Sequence, residues 1–169
     1  MEALIALAEQ TLTVSRHAYL KQGYTADNRV FYIESGAIRA FIVNDDGEDQ
    51  NIRFGYKGNL IVALDSFFTG KPSPLYLQAL KKTVVKVITK TQIDFFVQQE
   101  NHWKWWVQLL ESLVVQQLER EVDLLTPSPR KRFERVLERS PQVFQEIPHR
   151  HIANYLRMSA ETLSRLQKS

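Results

Sequence analysis

The side chains near the C-terminal end of the 169-residue chain carry its clearest potential for specific chemistry. The segment IPHRHIANYLRMSAETLSRLQKS, residues 147–169, places Glu161 and Arg165 four positions apart, and hence on one face if the segment is helical. An arginine guanidinium can grip guanine through two hydrogen bonds, and a glutamate can accept one from the amine of cytosine. If the segment is helical, we expect its outward face to expose Ala160, Glu161, Ser164, Arg165 and Lys168.

Two short helices and a tight turn must position this face. Pro148 begins the first predicted helix, 148–156, where its missing N–H costs nothing. Ser159 precedes the second, 159–167, and can cap the backbone N–H groups of its first turn. Ala153 is small enough for the helices to cross closely. The pattern predicts a helix-turn-helix, and the alternative is an ordinary capped helical hairpin whose charges are only solvated.

The positive charge of the chain is concentrated in the same region. The net charge is +3 overall, but residues 130–169 hold nine basic and four acidic residues, a local charge of +5. Basic side chains and capped helix ends contact phosphates in many nucleic-acid complexes. We therefore expect contacts with DNA phosphates from Ser159, Thr162, Lys168, His149, Arg150, Arg130 and Arg132, although a solvated face is an equal alternative for the run at 130–135.

Composition and spacing argue against several classes of protein. The absence of Cys excludes disulfides, thiol catalysis and thiolate metal sites. His149 and His151 would lie on different faces of a helix, so we expect no metal site, and we expect no cofactor. No Ser-His-Asp set, paired carboxylates or Gly-rich phosphate loop has a recognisable spacing, and the chain is predicted not to be an enzyme. No apolar run approaches the ~20 residues of a membrane span, so we expect a cytoplasmic protein.

Residues 19–90 have the composition of β-structure. Runs rich in β-branched and aromatic residues are separated by turn signals such as NDDGED at 44–49 and Lys57-Gly58-Asn59. Short strands with turns at this spacing predict an antiparallel barrel or jelly roll, and the LIVALDSFF segment, 60–68, fits either a buried strand or a short helical turn.

From residue 91 the apolar period becomes helical. A short helix is expected at 91–99 and a long one at about 101–125, ended by Thr126-Pro127-Ser128-Pro129, with a further helix at 130–138. Apolar residues recur along the long helix at helical or heptad spacing, and tryptophan is frequent at interfaces. We expect a homodimer interface there, although packing against the chain's own barrel is an equal alternative for the tryptophans. The expected interface residues are Trp103, Trp106, Leu110, Leu113, Leu118 and Val122.

From about Tyr19 to its last residue the chain resembles the Crp/Fnr superfamily of bacterial transcription regulators. SAETLSRL, 159–166, matches the segment that this family places in the major groove, and FYIESGAIRAF at 31–41 is similar to its cyclic-nucleotide-binding jelly roll. The resemblance implies an α+β fold: an N-terminal antiparallel β jelly roll at 1–100, a long dimerisation helix at 101–126 and an all-α helix-turn-helix domain at 127–169. It also implies that Glu161 and Arg165 contact bases and that the partners are double-stranded DNA, a second copy of the chain and RNA polymerase.

The chain departs from the family pattern where cyclic AMP would bind. Val62-Ala63-Leu64 stands where the family has Gly-Glu-Leu, and Ser73-Pro74-Leu75 stands near its Arg-Ser-Ala. Without that arginine, a buried phosphate has no bidentate partner. We expect that cyclic AMP is not the effector, and neither the effector nor its binding residues follow from the sequence.

Two further departures concern the DNA-binding region. Arg157 stands at a turn where these motifs often have Gly, and it would need left-handed backbone at a cost of about 1 kcal/mol. The sequence also stops at Ser169, so we expect the β-hairpin wing of the family to be lacking, naturally or by truncation. The alternative function is a non-enzymatic ligand- or protein-binding module with a degenerate DNA-binding tail.

Overall fold

The computed structural model describes residues 1–99 and 102–168. These form two compact units, Met1–Phe96 and Val97–Ser169. The boundary that we predicted falls at residues 100 and 101, outside the described residues, so the division at that point stays a prediction.

The first unit is built mainly of antiparallel strands, as predicted. The strands are β1 (Gln10–Val14), β2 (Tyr19–Lys21), β3 (Val30–Ser35), β4 (Ala37–Val43), β5 (Asp49–Tyr56), β6 (Leu60–Ile61), β7 (Tyr76–Ala79) and β8 (Thr83–Ile88). They form two four-stranded sheets with the orders β1-β8-β3-β6 and β2-β7-β4-β5.

The core of this unit lies between the two sheets. Because successive side chains of a strand point to opposite faces, alternate apolar residues of both sheets meet there. The eight buried residues of this cluster are Phe31, Ile33, Ile38, Ala40, Ile61, Leu77, Val85 and Val87. Gly36 joins β3 to β4 with φ 98°, and a Cβ there would lie 2.3 Å from Thr83 Oγ1, so only glycine fits this turn.

Helices α1 (Glu2–Ile5) and α2 (Leu64–Thr69) belong to the first unit, and α3 (Lys90–Gln98) begins in it and ends two residues past Phe96. The segment 60–68, for which the sequence allowed a strand or a helical turn, contains both, since β6 is followed by α2. Gly70 ends α2 with left-handed backbone. The sequence prediction missed α1 and β1, which precede the predicted β-region.

The second unit is helical. Its helices are α4 (His102–Leu125), α5 (Pro129–Arg139), α6 (Val143–Glu146), α7 (His149–Tyr155) and α8 (Ala160–Lys168). The predicted helices correspond to α4, α5, α7 and α8, whereas the single turn α6 was not predicted. Ser128 caps α5 by accepting a hydrogen bond from the Lys131 N–H at 3.3 Å, and Pro129 occupies the first turn. Among the described residues, no helix is both long enough and apolar enough to cross a membrane.

Candidate nucleic-acid interface

The turn between α7 and α8 has the geometry of a helix-turn-helix. Arg157 adopts φ 54°, the left-handed conformation expected at that position. Its N–H donates to Asn154 O at 3.0 Å, and the N–H of Met158 donates to Ala153 O at 3.0 Å. This pair of bonds satisfies the last carbonyls of α7 in the manner of a Schellman motif. The buried side chains of Ala153 and Leu163 belong to the two helices that this turn connects.

Ser159 caps α8. Its Oγ accepts a hydrogen bond from the Thr162 N–H at 3.1 Å and lies 3.0 Å from Thr162 Oγ1. Thr162 Oγ1 also accepts from Arg165 Nη2 at 3.5 Å. The two hydroxyl groups and the guanidinium thus form a chain of contacts along the first turns of the helix.

The predicted base-contacting residues lie on the accessible side of α8. Ala160, Glu161 and Arg165 are exposed, and Ser164 is half-buried. Glu161 and Arg165 are one helical turn apart, so the carboxylate and guanidinium project from one face. On this side of α8, Ala160 is small, Glu161 can accept hydrogen bonds, Ser164 carries a hydroxyl group and Arg165 can donate two hydrogen bonds. Such a set of side chains suits contact with base edges in a major groove.

Most of the predicted phosphate-contacting residues are also accessible. His149, Arg150, Ser159, Lys168 and Arg130 are exposed, and Thr162 is half-buried. A side-chain hydrogen bond joins His149 Nε2 to Gln167 Oε1 and so ties the start of α7 to the end of α8. Arg130 lies 3.8 Å from Glu134 in an exposed pair one turn along α5, a contact that contributes little in water.

Arg132 does not fit the phosphate-contacting role that we predicted for it. Arg132 is only 8% exposed, and its guanidinium donates hydrogen bonds to four backbone carbonyls. The distances are 2.8 Å to Leu156 O, 2.7 Å to Thr126 O, 3.0 Å to Pro127 O and 3.1 Å to Arg157 O. Since these bonds engage the guanidinium inside the second unit, we remove Arg132 from the set of phosphate contacts.

A second group of arginines is engaged with acidic residues of α4. Arg135 Nε and Arg139 Nη2 donate to the fully buried Asp123 at 2.9 and 2.5 Å, and both side chains also bond Glu119. Burial alone would lower the pKa of Arg139, but the hydrogen bond and charge of Asp123 outweigh it and raise the pKa. The sequence prediction did not identify this network, although the four-residue spacings of 119 to 123 and 135 to 139 place each pair on one helix face.

Arg120 makes a further contact between α4 and α7. Its guanidinium carbon lies 3.6 Å from the centre of the Tyr155 ring. Burial lowers the pKa of Arg120, an effect that the charges of Tyr155 and Asp123 partly oppose. A guanidinium stacked on an aromatic face is stabilised more strongly when it is removed from water.

The residues of α4 for which we predicted a dimer interface differ in their exposure, and the interface stays a prediction. Trp103, Leu118 and Val122 are exposed, whereas Trp106, Leu110 and Leu113 are half-buried. Five further apolar residues of α4 are exposed: Val107, Val114, Val115, Leu124 and Leu125. Positions 107, 114, 118 and 125 follow the 7-4-7 spacing of one helix face, so they form a stripe, which Glu111 interrupts.

In the first unit, part of the region that departs from the cyclic-nucleotide pattern, the loop at 73–75, is hydrogen-bonded by a buried lysine. Ala63 precedes α2 as its N-cap without a side-chain hydrogen bond, and Ser73 is fully buried. The ammonium of Lys21, a residue 3% exposed, donates to the carbonyls of Ser73 at 3.1 Å and Leu75 at 2.8 Å. Burial lowers the pKa of Lys21, and the charges of Asp65 and Asp27 partly offset this effect. Phe67 is buried, whereas Phe68 is 53% exposed.

An open cleft of about 340 Å³ lies beside α2. It is lined in part by Arg29, whose guanidinium forms two hydrogen bonds to the carboxylate of Asp27 at 2.9 and 2.7 Å. This hydrogen bonding raises the pKa of Arg29 despite partial burial. The guanidinium is therefore already paired within the protein. The remaining lining residues are Ala26, Asn28, Ser66 and Gly70.

Within the described residues, no group of three or more acidic or histidine side chains is arranged to hold a metal ion. His151, which the sequence placed near His149, is buried and accepts a hydrogen bond from Arg150 Nε at 3.2 Å.

Comparison with known proteins identifies the first unit and the overall fold. Residues 14–100 match the model of the cyclic nucleotide-binding domain family. A search of curated protein sequences gives no significant match. Among solved structures, FixK2 from Bradyrhizobium japonicum is similar with a TM-score of 0.79 and 15% identity, over 94% of this chain and 82% of that one.

Two proteins from Thermus thermophilus are also similar. The catabolite activator protein has a TM-score of 0.61 and 16% identity, over 99% of this chain and 80% of its own. A transcriptional regulator of the CRP family from the same organism has a TM-score of 0.68 and 15% identity, over 93% and 82% of the two chains. At sequence identities of 15% and 16%, the similarity to these three structures shows a shared fold.

Proposed function

The chain belongs to the family of cyclic nucleotide-binding domains and has the fold of Crp/Fnr transcription regulators, and we propose that it binds DNA as a homodimeric transcription regulator. The observation that carries this proposal is the capped helix α8, which exposes Glu161 and Arg165 from one face of a helix-turn-helix. The protein would act in the cytoplasm without catalysing a reaction. RNA polymerase and a small-molecule effector are predicted as further partners.

We assign DNA-contacting roles to the residues of the second unit whose side chains are accessible. Glu161 and Arg165 contact base edges, with Ala160 and Ser164 close to the groove floor. Ser159, Thr162, Lys168, His149, Arg150 and Arg130 contact phosphates. A two-fold dimer formed through the stripe of α4 would present two copies of α8 about one turn of DNA apart, roughly 34 Å, and would select a near-palindromic operator.

Selection from a pool of random DNA duplexes tests this function. We expect enrichment of one near-palindromic sequence, and we expect Arg165→Ala to cost about 1–3 kcal/mol on that sequence and to relax the preference at one base pair. Arg150→Ala serves as the comparison, because loss of a phosphate contact weakens binding equally on all sequences and reduces the salt slope by about one.

The same selection experiment also distinguishes the proposed regulator from the alternative function. Weak binding that depends only on salt, without enrichment of any sequence, would reject the regulator and favour a ligand- or protein-binding module. Unchanged affinity and base preference in Arg165→Ala, on an operator that the wild type selects, would instead remove only this residue from the interface.

A further inference from the structure

Arg132 connects two segments of the second unit that are distant in sequence. Two of its four acceptors, Thr126 O and Pro127 O, lie immediately after the end of α4. The other two, Leu156 O and Arg157 O, belong to the turn that precedes α8. One planar guanidinium therefore joins the end of α4 directly to the turn of the helix-turn-helix.

The ion pairs of α4 with α5 add a second connection. Asp123 is fully buried between Arg135 and Arg139, and Glu119 bonds the same two guanidinium groups. The stacking of Arg120 on Tyr155 adds a contact from α4 to α7. The four arginines 120, 132, 135 and 139, which we call the arginine brace, thus hold α4 to α5, to α7 and to the turn before α8.

The physical properties of these contacts make the brace stiff. Arg139 bonds both carboxylate oxygens of Asp123, and such a bidentate contact fixes orientation as well as distance. Breaking one partner of a buried pair is costly, because it leaves the other charge without compensation. Movement of the turn relative to α4 would have to break either the bonds of Arg132 to the turn or the ion pairs that hold α5 to α4.

We propose that the arginine brace fixes the position of α8 on the end of α4 and thereby sets the spacing between the two half-sites that the dimer accepts. This inference rests on the proposed function, because it assumes that two copies meet along α4. The distance between the two recognition helices then depends on how each α8 is held relative to its own α4. The arginines of the brace are positioning residues that act through the turn, and they contact no base.

The first test uses a pool of duplexes in which two copies of the selected half-site are separated by spacers of different length. We expect the wild type to prefer one spacing by about tenfold, equivalent to about 1.4 kcal/mol. Arg132→Lys keeps the charge but cannot reach four carbonyls with a planar fork, and Arg139→Gln removes part of the second connection. Both should lose most of the spacing preference while keeping the base preference within each half-site. Lys131→Gln, on the exposed side of the same helix, removes one positive charge and should keep the spacing preference.

A second measurement needs no DNA. Since the chain has no Cys, spin labels can be attached at Gln116→Cys on α4 and Lys168→Cys on α8 without other changes. Labelled protein is mixed with excess unlabelled protein so that each dimer holds one labelled copy. We expect a narrow distribution of distances in the wild type and in Lys131→Gln, and a broad one in Arg132→Lys and Arg139→Gln.

The outcomes are distinct. An unchanged distance distribution and an unchanged spacing preference in both arginine variants would overturn the inference. If the wild type selects no sequence at any spacing, the proposed function fails, and the inference fails with it. If Arg132→Lys loses its helical circular dichroism, Arg139→Gln decides the result, because its side chain is a quarter exposed and its substitution disturbs packing less.

Discussion

At the scale of single residues, Arg157 carries the least favourable backbone conformation of the helix-turn-helix. Its φ of 54° lies in the region that an L-residue with a Cβ enters at a cost of about 1–2 kcal/mol. The turn nevertheless requires this conformation, because the N–H groups of Arg157 and Met158 must reach back to the last carbonyls of α7. Arg157 also offers its own carbonyl to Arg132, an acceptor that any residue at this position retains.

We therefore predict that Arg157→Gly stabilises the second unit. Relief of the left-handed strain is partly offset by the greater backbone freedom of glycine in the unfolded chain, which leaves a gain of about 0.5–1 kcal/mol. Denaturant unfolding followed by circular dichroism measures this difference. Gln117→Gly, at an exposed position inside α4, should lower the free energy of unfolding by about 1 kcal/mol. A loss of stability in Arg157→Gly would show that the arginine side chain makes a contact worth more than the strain.

The arginines also show where inference from the sequence succeeds and where it fails. The capping serine, the small residue at the crossing and the exposed Glu161 and Arg165 follow from residue type and spacing alone. Arg132 was misassigned because a count of positive charges does not distinguish a cation facing solvent from one facing carbonyls. A signal was present, since Arg132 precedes Phe133 and lies one turn before Val136, two residues of the buried face of α5.

At the scale of elements, α4 has two faces that differ in composition and exposure. Near its C-terminal end one face carries Glu119, Arg120 and Asp123, which bond α5 and α7. The other face exposes the apolar stripe of Val107, Val114, Leu118 and Leu125. Periodicity predicted a long helix with a heptad-like pattern, but it could not separate the apolar residues that pack within the chain from those that remain exposed. Exposed apolar surface of this kind is typical of an interface between subunits.

We predict that Leu118→Glu prevents dimerisation. A carboxylate brought into an apolar interface must lose its hydration without a partner, so the dissociation constant should rise by at least about 100-fold. Sedimentation equilibrium measures the change. Gln116→Glu introduces the same group on the opposite side of α4, where the side chain is exposed, and should leave the dimer unchanged. Wild-type dimer affinity in Leu118→Glu would place the interface elsewhere.

At the scale of the whole molecule, residues 14–100 retain the family fold, whereas the loss of cyclic AMP binding stays a prediction. The sheets follow from runs of β-branched and aromatic residues separated by turn signals, and for this reason the fold of the first unit was predictable. The hydrogen bonds of Lys21 to the loop at 73–75 were not predictable. Lys21 lies more than 50 residues before the loop at 73–75 that it bonds, and no local pattern connects the two.

This arrangement leads to a prediction about the binding of cyclic AMP and its effect on DNA affinity. We expect that cyclic AMP does not bind at concentrations up to about 1 mM, because Ser73-Pro74-Leu75 supplies no guanidinium and Lys21 is engaged by carbonyls. Binding of effector and DNA is reciprocal, so a nucleotide without affinity for the protein cannot change its affinity for the operator. Calorimetric titration with cyclic AMP should therefore give no saturable heat, and operator affinity with and without the nucleotide should agree within about twofold. Saturable binding at micromolar concentration, with an accompanying change in operator affinity, would show that the first unit recognises the phosphate through groups other than an arginine at residues 73–75.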